Sequence, residues 1–187
     1  GKSIHDPQVA GSATHVDLNR AGVPLLEIVS EPDLRSPAEA AAYLRTLRAL
    51  LRSIDVSLAD LEKGHFRCDA NLSLRRAGET RLGTRTELKN LNSFRFVEAA
   101  LEAEVARQAS VLEAGGAVQQ ATLAYDPDSR RTRVLRLKEN ADDYRYFPDP
   151  DLVPLQISAE WIEEVRAGLP ELAPRKLLRF QAQYALP

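Results

Sequence analysis

The 187-residue sequence carries 25 Lys and Arg against 27 Asp and Glu, with 44% hydrophobic and 28% charged residues. That is the composition of a folded globular protein, and a formal charge of -2 excludes nucleic-acid binding by bulk charge alone. The length suits one domain with a sizeable core or, as expected here, one domain plus the start of another.

No apolar run nears the roughly 20 residues of a membrane span, and residues 1–10 lack a signal-peptide pattern. The single cysteine, Cys68, can form neither an internal disulfide nor a thiolate zinc cage, which points to a reducing compartment, the cytoplasm. Met is absent even from position 1, so the sequence reads as an excerpt of a longer chain.

Residues 1–14 are polar and aperiodic and read as a loop, and the run VPLLEIV at 23–29 reads as a buried strand followed by a turn. Ser36-Pro37-Ala38-Glu39 is a capping box, with Ser36 as the cap, Pro37 at the first helical position and Glu39 reaching back to the Ser36 amide. The helix it opens places Ala40, Tyr43, Leu44, Leu47, Leu50, Leu51 and Ile54 on one stripe. From Phe66 to Arg75 the alternation predicts a half-buried strand: Phe66, Cys68, Ala70, Leu72 and Leu74 face inward, and Arg67, Asp69, Asn71, Ser73 and Arg75 face outward. Ala77-Gly78-Glu79 turns the chain, and residues 81–89 return as the second strand of a β-hairpin, with Gly83, Arg85, Glu87 and Lys89 on one face.

A long amphipathic helix is expected over 93–114, on Phe94, Val97, Leu101, Val105 and Leu112 with Gln108 as the exception, stopped by Gly115-Gly116. A second hairpin joins 121–125 to 131–138 through Asp126-Pro127-Asp128-Ser129. The acidic, aromatic segment 139–151 reads as an ordered loop, residues 152–157 as a last strand, and Ser158 as the cap of a short helix ended by Gly168-Leu169-Pro170. A further helix runs over 174–184. The expected fold class is α+β with a mostly antiparallel sheet.

The chemistry-bearing residues concentrate on the first hairpin. Alternation sets Arg67, Asp69 and Asn71 beside Arg85, Glu87 and Lys89, and two carboxylates with neighbouring cations suit a magnesium–phosphate site. The same side chains would also serve as cross-strand ion pairs on a solvated face, each worth about 0.2–1 kcal/mol, the commoner use of such a pattern. Residues 89–93 lie where a strand gives way to a helix, a place for an anion or for a plain Asn/Ser cap. Asp142, Asp143, Tyr144, Arg145 and Tyr146 suit a cation, a stacked base or simple packing. Arg130, Arg131, Arg133 and Arg136 offer local nucleic-acid contacts or a solvated hairpin.

Gly1-Lys2-Ser3 is not a phosphate-binding loop, because Pro7 interrupts the helix such a loop must enter, and His5, His15 and His65 lack metal-ligand spacing. There is no GxSxG and no GxGxxG, and Cys68, on an apolar strand face, reads as a small buried hydrophobe.

Four stretches, DLNRAGVPLLEIVSEPDLRSP (17–37), RCDANLSLR (67–75), TELKNLNSFRFV (86–97) and DDYRYFPDPDLVPL (142–155), resemble in order the B subunit of the aspartyl/glutamyl-tRNA amidotransferases, the GatB/GatE family. The resemblance implies a cradle fold like that of glutamine synthetase, with the catalytic cradle over 1–157 and the beginning of a helical domain over 158–187. It also implies an ATP-dependent enzyme that phosphorylates the side-chain carboxylate of Glu-tRNA(Gln) or Asp-tRNA(Asn) and amidates it with ammonia. An amidase A subunit would supply the ammonia and a small C subunit would brace the pair.

By motif, Asp69 of RCDAN and Glu87 of TELKN match magnesium ligands. Arg67 and Lys89 are the residues expected to meet phosphate or transition-state charge, and Asn71 and Asn90 to orient the bound nucleotide. The family places further ligands upstream of Gly1 and tRNA-gripping domains beyond Pro187, so the excerpt alone is expected to be inactive. The alternative is a noncatalytic module that keeps the fold and binds tRNA or the A subunit.

Overall fold

A computed structural model describes residues 2–4, 15–19, 21–137 and 150–185. The chain divides into two compact units, residues 1–33 and 34–187. In the first, β1 (Lys2–Ile4) pairs antiparallel with β2 (His15–Asp17), with Lys2 opposite Asp17 and Ile4 opposite His15. This corrects the expectation of a loop at residues 2–4; residues 5–14 lie outside the described residues.

The expected strand at 23–29 does not form either. The backbone carries no ladder there, and Leu25 is 90% exposed. A short apolar run becomes a strand only when a neighbouring strand takes its amides and carbonyls, a condition its own composition does not contain.

In the second unit, α1 (Pro37–Ser53) opens as its capping motif requires: the Glu39 amide donates to Ser36 Oγ at 3.1 Å. The Glu39 carboxylate, however, takes the amide of Arg35 rather than that of Ser36, at 2.5 Å. Ala41, Leu44 and Leu51 are the helix's buried residues, one position off the expected stripe at its start, and Leu50 lies outside it.

Four strands follow: β3 (Ala70–Leu72), β4 (Thr86–Lys89), β5 (Ala121–Asp126) and β6 (Arg131–Leu137), ordered β3-β4-β5-β6. β3/β4 and β5/β6 are antiparallel hairpins, whereas β4 and β5 run parallel. A parallel pair needs a long crossover, supplied here by α2 (Phe94–Glu113). Ser93 Oγ caps α2 by accepting the Phe96 amide at 3.1 Å, and Gly115, at φ +76°, supplies the left-handed residue just past its end.

The first hairpin is shorter than expected. Phe66, Cys68, Ala70 and Leu72 do pack half-buried against the core, but only three residues of β3 enter the ladder. The ladder stops at Lys89 because Asn90 takes a left-handed φ of +62°, which Asn tolerates better than most residues, and turns the chain towards α2. Residues 81–85 lie outside β4, yet Gly83 still runs so close to β3's continuation that a Cβ there would sit 2.0 Å from the Leu74 carbonyl oxygen.

Both helices cover one side of the sheet. Leu44 of α1 and Val97, Ala100 and Leu101 of α2 form a core with Leu88, Leu91, Ala121 and Leu123, and Phe66 meets Phe94 edge-on at 6.1 Å. α2 also buries two polar residues on this side, Glu104 and Gln108. Glu104, with no exposed area, accepts from Thr86 Oγ1 (2.8 Å), Gln108 Nε2 (3.0 Å), Thr132 Oγ1 (3.0 Å) and both the Nε and Nη2 of Arg107 (2.8 and 2.6 Å). Gln108 in turn accepts the Leu74 amide at 3.1 Å and donates to the Leu72 carbonyl at 3.3 Å. Desolvation alone would push the Glu104 carboxyl up; the Arg107, Gln108 and Thr86 hydrogen bonds outweigh it and hold it below the usual glutamate range.

Beyond β6, the expected strand at 152–157 is absent and its residues are exposed. α3 (Ala159–Gly168), capped by Ser158, and α4 (Ala173–Tyr184) form as expected but bury none of their residues. The acidic, aromatic segment at 139–149 lies outside the described residues.

Removing the Glu104 carboxylate strands several buried donors at once, so Glu104→Ala is expected to lower unfolding stability by about 3 kcal/mol and Glu104→Gln by less. Because the folded pKa is depressed, this contribution is present above the ordinary glutamate value of about 4.3 and is lost as pH falls through the lower folded value. Urea unfolding between pH 7 and pH 3 checks both, and a wild-type-like pH profile in Glu104→Gln would refute the assignment. Gly83→Ala is expected to cost about 1–3 kcal/mol by pushing against backbone rather than a movable side chain, read in the same unfolding curves.

Candidate functional site

The pleat decides which residues leave the helix-covered side. In β4, Thr86 and Leu88 point to α2 and the core, so Glu87 and Lys89 point the other way. The antiparallel register sets Asn71 opposite Glu87, and extending it by one residue brings Asp69 opposite Lys89. Lys89 Nζ lies 2.5 Å from Asp69 Oδ2 and 3.1 Å from Glu87 Oε1. From the other side, across the parallel ladder, Thr122 Oγ1 of β5 donates to Glu87 Oε2 at 3.1 Å.

Glu87 is the buried member of this group, its side chain only 10% exposed, while Asp69 and Asn71 are open to solvent. Burial pulls the Lys89 ammonium down, but its hydrogen bonds to Asp69 and Glu87 more than offset that and raise its pKa above the ordinary lysine value. The lysine is therefore charged throughout the physiological range. Two carboxylate oxygens from neighbouring strands thus converge on one cation, which is also the donor set a hard divalent ion takes when phosphate and water complete its shell. Among the described residues no group of three His, Cys, Asp or Glu side chains converges, so these residues supply two such donors there and not a full cage.

Of the residues singled out in the sequence, Asp69, Glu87 and Lys89 come together and Asn71 stands next to them in register. Arg67 is exposed on the chain leading into β3, away from the half-buried Phe66 and Cys68. Asn90 is exposed, and its visible part is conformational, the left-handed turn out of β4. Residues 142–146 are outside the described part. Cys68 behaves as expected of a small hydrophobe: burial first, then the neighbouring Asp69 charge, push its thiol up to about 11.

Sequence reasoning missed Thr122, whose place beside Glu87 depends on the parallel β4/β5 pairing, and Glu104, which sits three residues past Leu101 and four before Gln108 on the same buried stripe. That spacing was the available signal. Polar residues at core-facing helical positions mark a buried network when threonines stand on the strands beneath.

The GatB/GatE catalytic domain matches residues 1–163. The chain belongs to the GatB/GatE family. Among curated relatives, it is 59% identical over 186 residues to a protein of Desulfotalea psychrophila named as the B subunit of aspartyl/glutamyl-tRNA(Asn/Gln) amidotransferase, covering 100% of this chain and 39% of that one. The proteins of the same name from Nitrosospira multiformis and Moorella thermoacetica are each 56% identical, again across 100% of this chain, which covers 37% and 39% of their lengths. The chain thus spans under two fifths of these relatives of the family.

With its thiol near 11, about one Cys68 in a thousand is ionised at pH 8. Iodoacetamide is expected to alkylate the folded protein at pH 8 at least about a hundredfold more slowly than the urea-unfolded chain. Equal rates would place a reactive thiol on this strand.

Proposed function

We propose that this chain carries the carboxylate-activating part of a tRNA-dependent amidotransferase. The observation that carries the reading is the convergence of Asp69, just before β3, and Glu87, on β4, on one cation on the side of the sheet away from α1 and α2. In the proposed reaction a carboxylate oxygen of Glu-tRNA(Gln) or Asp-tRNA(Asn) takes the γ-phosphoryl group of ATP and ADP leaves. Ammonia nitrogen then attacks the acyl carbon, phosphate departs, and loss of a proton leaves the amide of Gln-tRNA(Gln) or Asn-tRNA(Asn). The acyl phosphate is electrophile enough that the protein needs no nucleophile of its own, consistent with an unreactive Cys68.

In this reading Asp69 and Glu87 hold Mg²⁺, which when bound neutralises phosphate charge. Thr122 fixes the second oxygen of Glu87, so the carboxylate is oriented before substrate arrives. Lys89 balances the two carboxylates and, when they turn to the metal, is free to meet a phosphate oxygen; Arg67 adds charge at the edge, and Asn71 and Asn90 orient the nucleotide. An amidase A subunit supplies the ammonia and a small C subunit completes the assembly, working in the cytoplasm. The cradle comprises residues 1–157 and a helical domain begins at 158; α3 and α4, burying nothing against the sheet, support that boundary.

The test is amide formation on Glu-tRNA(Gln) by the complete reconstituted enzyme with ammonium as nitrogen donor, which bypasses any glutaminase. Asp69→Ala and Glu87→Ala are each expected to lower the rate by about a hundredfold or more while glutamine hydrolysis by the A subunit persists. Full activity in both variants would make this sheet face structural.

A further inference from the structure

The fourth strand adds something that the alternation of its sequence conceals. In an unbroken strand, residues 133 and 136 lie on opposite faces. Here Ala124 pairs with Arg133 and Leu123 with Val134, but Thr122 pairs with Arg136, because a β-bulge between Thr122 and Leu123 leaves Leu135 as an extra residue. The helix side of β6 is marked independently: Thr132 hydrogen-bonds Glu104, and Val134 and Leu137 line one cavity with Ala121, Leu123, Arg107 and Val111. Arg133 and Arg136 therefore both stand on the opposite side, the side of Glu87 and Lys89.

Two rows cross the sheet there. One runs Asn71, Glu87, Thr122, Arg136; the other runs Asp69, Lys89, Ala124, Arg133. Each arginine is two strands from the carboxylate or lysine of its row, roughly 10 Å at ordinary strand spacing. The intervening Thr122 and Ala124 are small and almost fully covered, so the exposed charges of this side stand at its two ends. Neither arginine forms a salt bridge with a described residue, whereas Arg45, Arg107 and Arg179 each do. The nearest acid on their strand pair is Asp126, opposite Arg131; the Ser129 hydroxyl and the Asp128 amide bond its carboxylate, and the Arg133 charge acts on it without forming a salt bridge.

We infer that Arg133 and Arg136 form the phosphate-binding limb of this face, holding phosphate oxygens of a substrate whose reacting end lies at Glu87 and Lys89. Guanidinium forks match phosphate oxygens, and placing the cations two strands from the carboxylates separates the anion's binding from the carboxylate pair. The inference rests on the function proposed above. It assigns β6, a strand outside the matched motifs, a direct part in substrate binding.

Phosphate reaches the enzyme in ATP and in the tRNA backbone, and two binding arms separate the sources. In the complete enzyme, Arg133→Ala, Arg136→Ala and the double variant are compared for ATP affinity by calorimetry and for tRNA affinity by filter binding, alongside ammonium-dependent amidation. Arg52→Ala, on α1 at the other side of the sheet, is the charge-matched control. The double variant is expected to weaken one ligand by at least about tenfold, Arg136→Lys to recover part of the loss, and Arg52→Ala to change neither. A loss in the ATP arm identifies nucleotide phosphate and a loss in the tRNA arm identifies the backbone. Unchanged affinity in both arms, or an equal loss in Arg52→Ala, overturns the inference. The wild type binding both ligands without amidating would instead strike the proposed function, since neither binding arm needs turnover.

Discussion

Everything else in the second unit hangs on a single buried carboxylate. Glu104 sits on α2 at a position where an apolar residue would pack as well, yet it accepts hydrogen bonds from Thr86 on β4 and Thr132 on β6 and, through Gln108, ties in β3. Apolar packing is non-directional and would let the helix slide or rotate over the sheet. Hydrogen bonds that an ionised group accepts from two strands, with a third strand tied in through Gln108, do not. They must all be made at once, because each stranded donor in that interior carries a desolvation penalty. The register of the sheet and the rotation of α2 are thus set together.

That constraint reaches the other side of the sheet through one peptide. Thr86 is drawn down to Glu104, so its neighbour Glu87 must project away from the helices, where Thr122 takes one oxygen and Lys89 the other. The sheet is consequently two-sided in charge as well as in packing. Its helix side is a core stapled by buried polar groups, and its other side bears fixed charges of both signs. A site assembled on strands inherits their rigidity, and that suits chemistry in which catalysis is mostly positioning and charge stabilisation. The bulge in β6 extends the arrangement to the far edge by a single extra residue.

The elements whose information is local were legible in the chain. Ser36 and Ser158 cap the helices they were expected to cap, Ser93 takes up the cap that was one of two readings of residues 89–93, Gly115 ends α2, and the Asp126–Ser129 turn joins β5 to β6. The face assignment of Asp69, Asn71, Glu87 and Lys89 followed from alternation alone, and it holds although the strands are shorter than the alternating runs. The runs at 23–29 and 152–157 failed as strands for one reason: they have the composition of strands but no paired neighbour, and a strand is not a property of its own residues.

By itself, the sequence determined periodicity, caps, turns, the α+β class and the family, since these depend on residues close together or on the order of long motifs. Tertiary structure decided the parallel pairing of β4 with β5, and with it Thr122's place beside Glu87; the burial of Glu104 and Gln108, which composition alone would put in water; and the bulge that brings Arg133 and Arg136 to one face. Each of these is a relation between residues distant along the chain. It is settled by which backbone groups find partners when the helix closes over the sheet, and no local propensity encodes that choice.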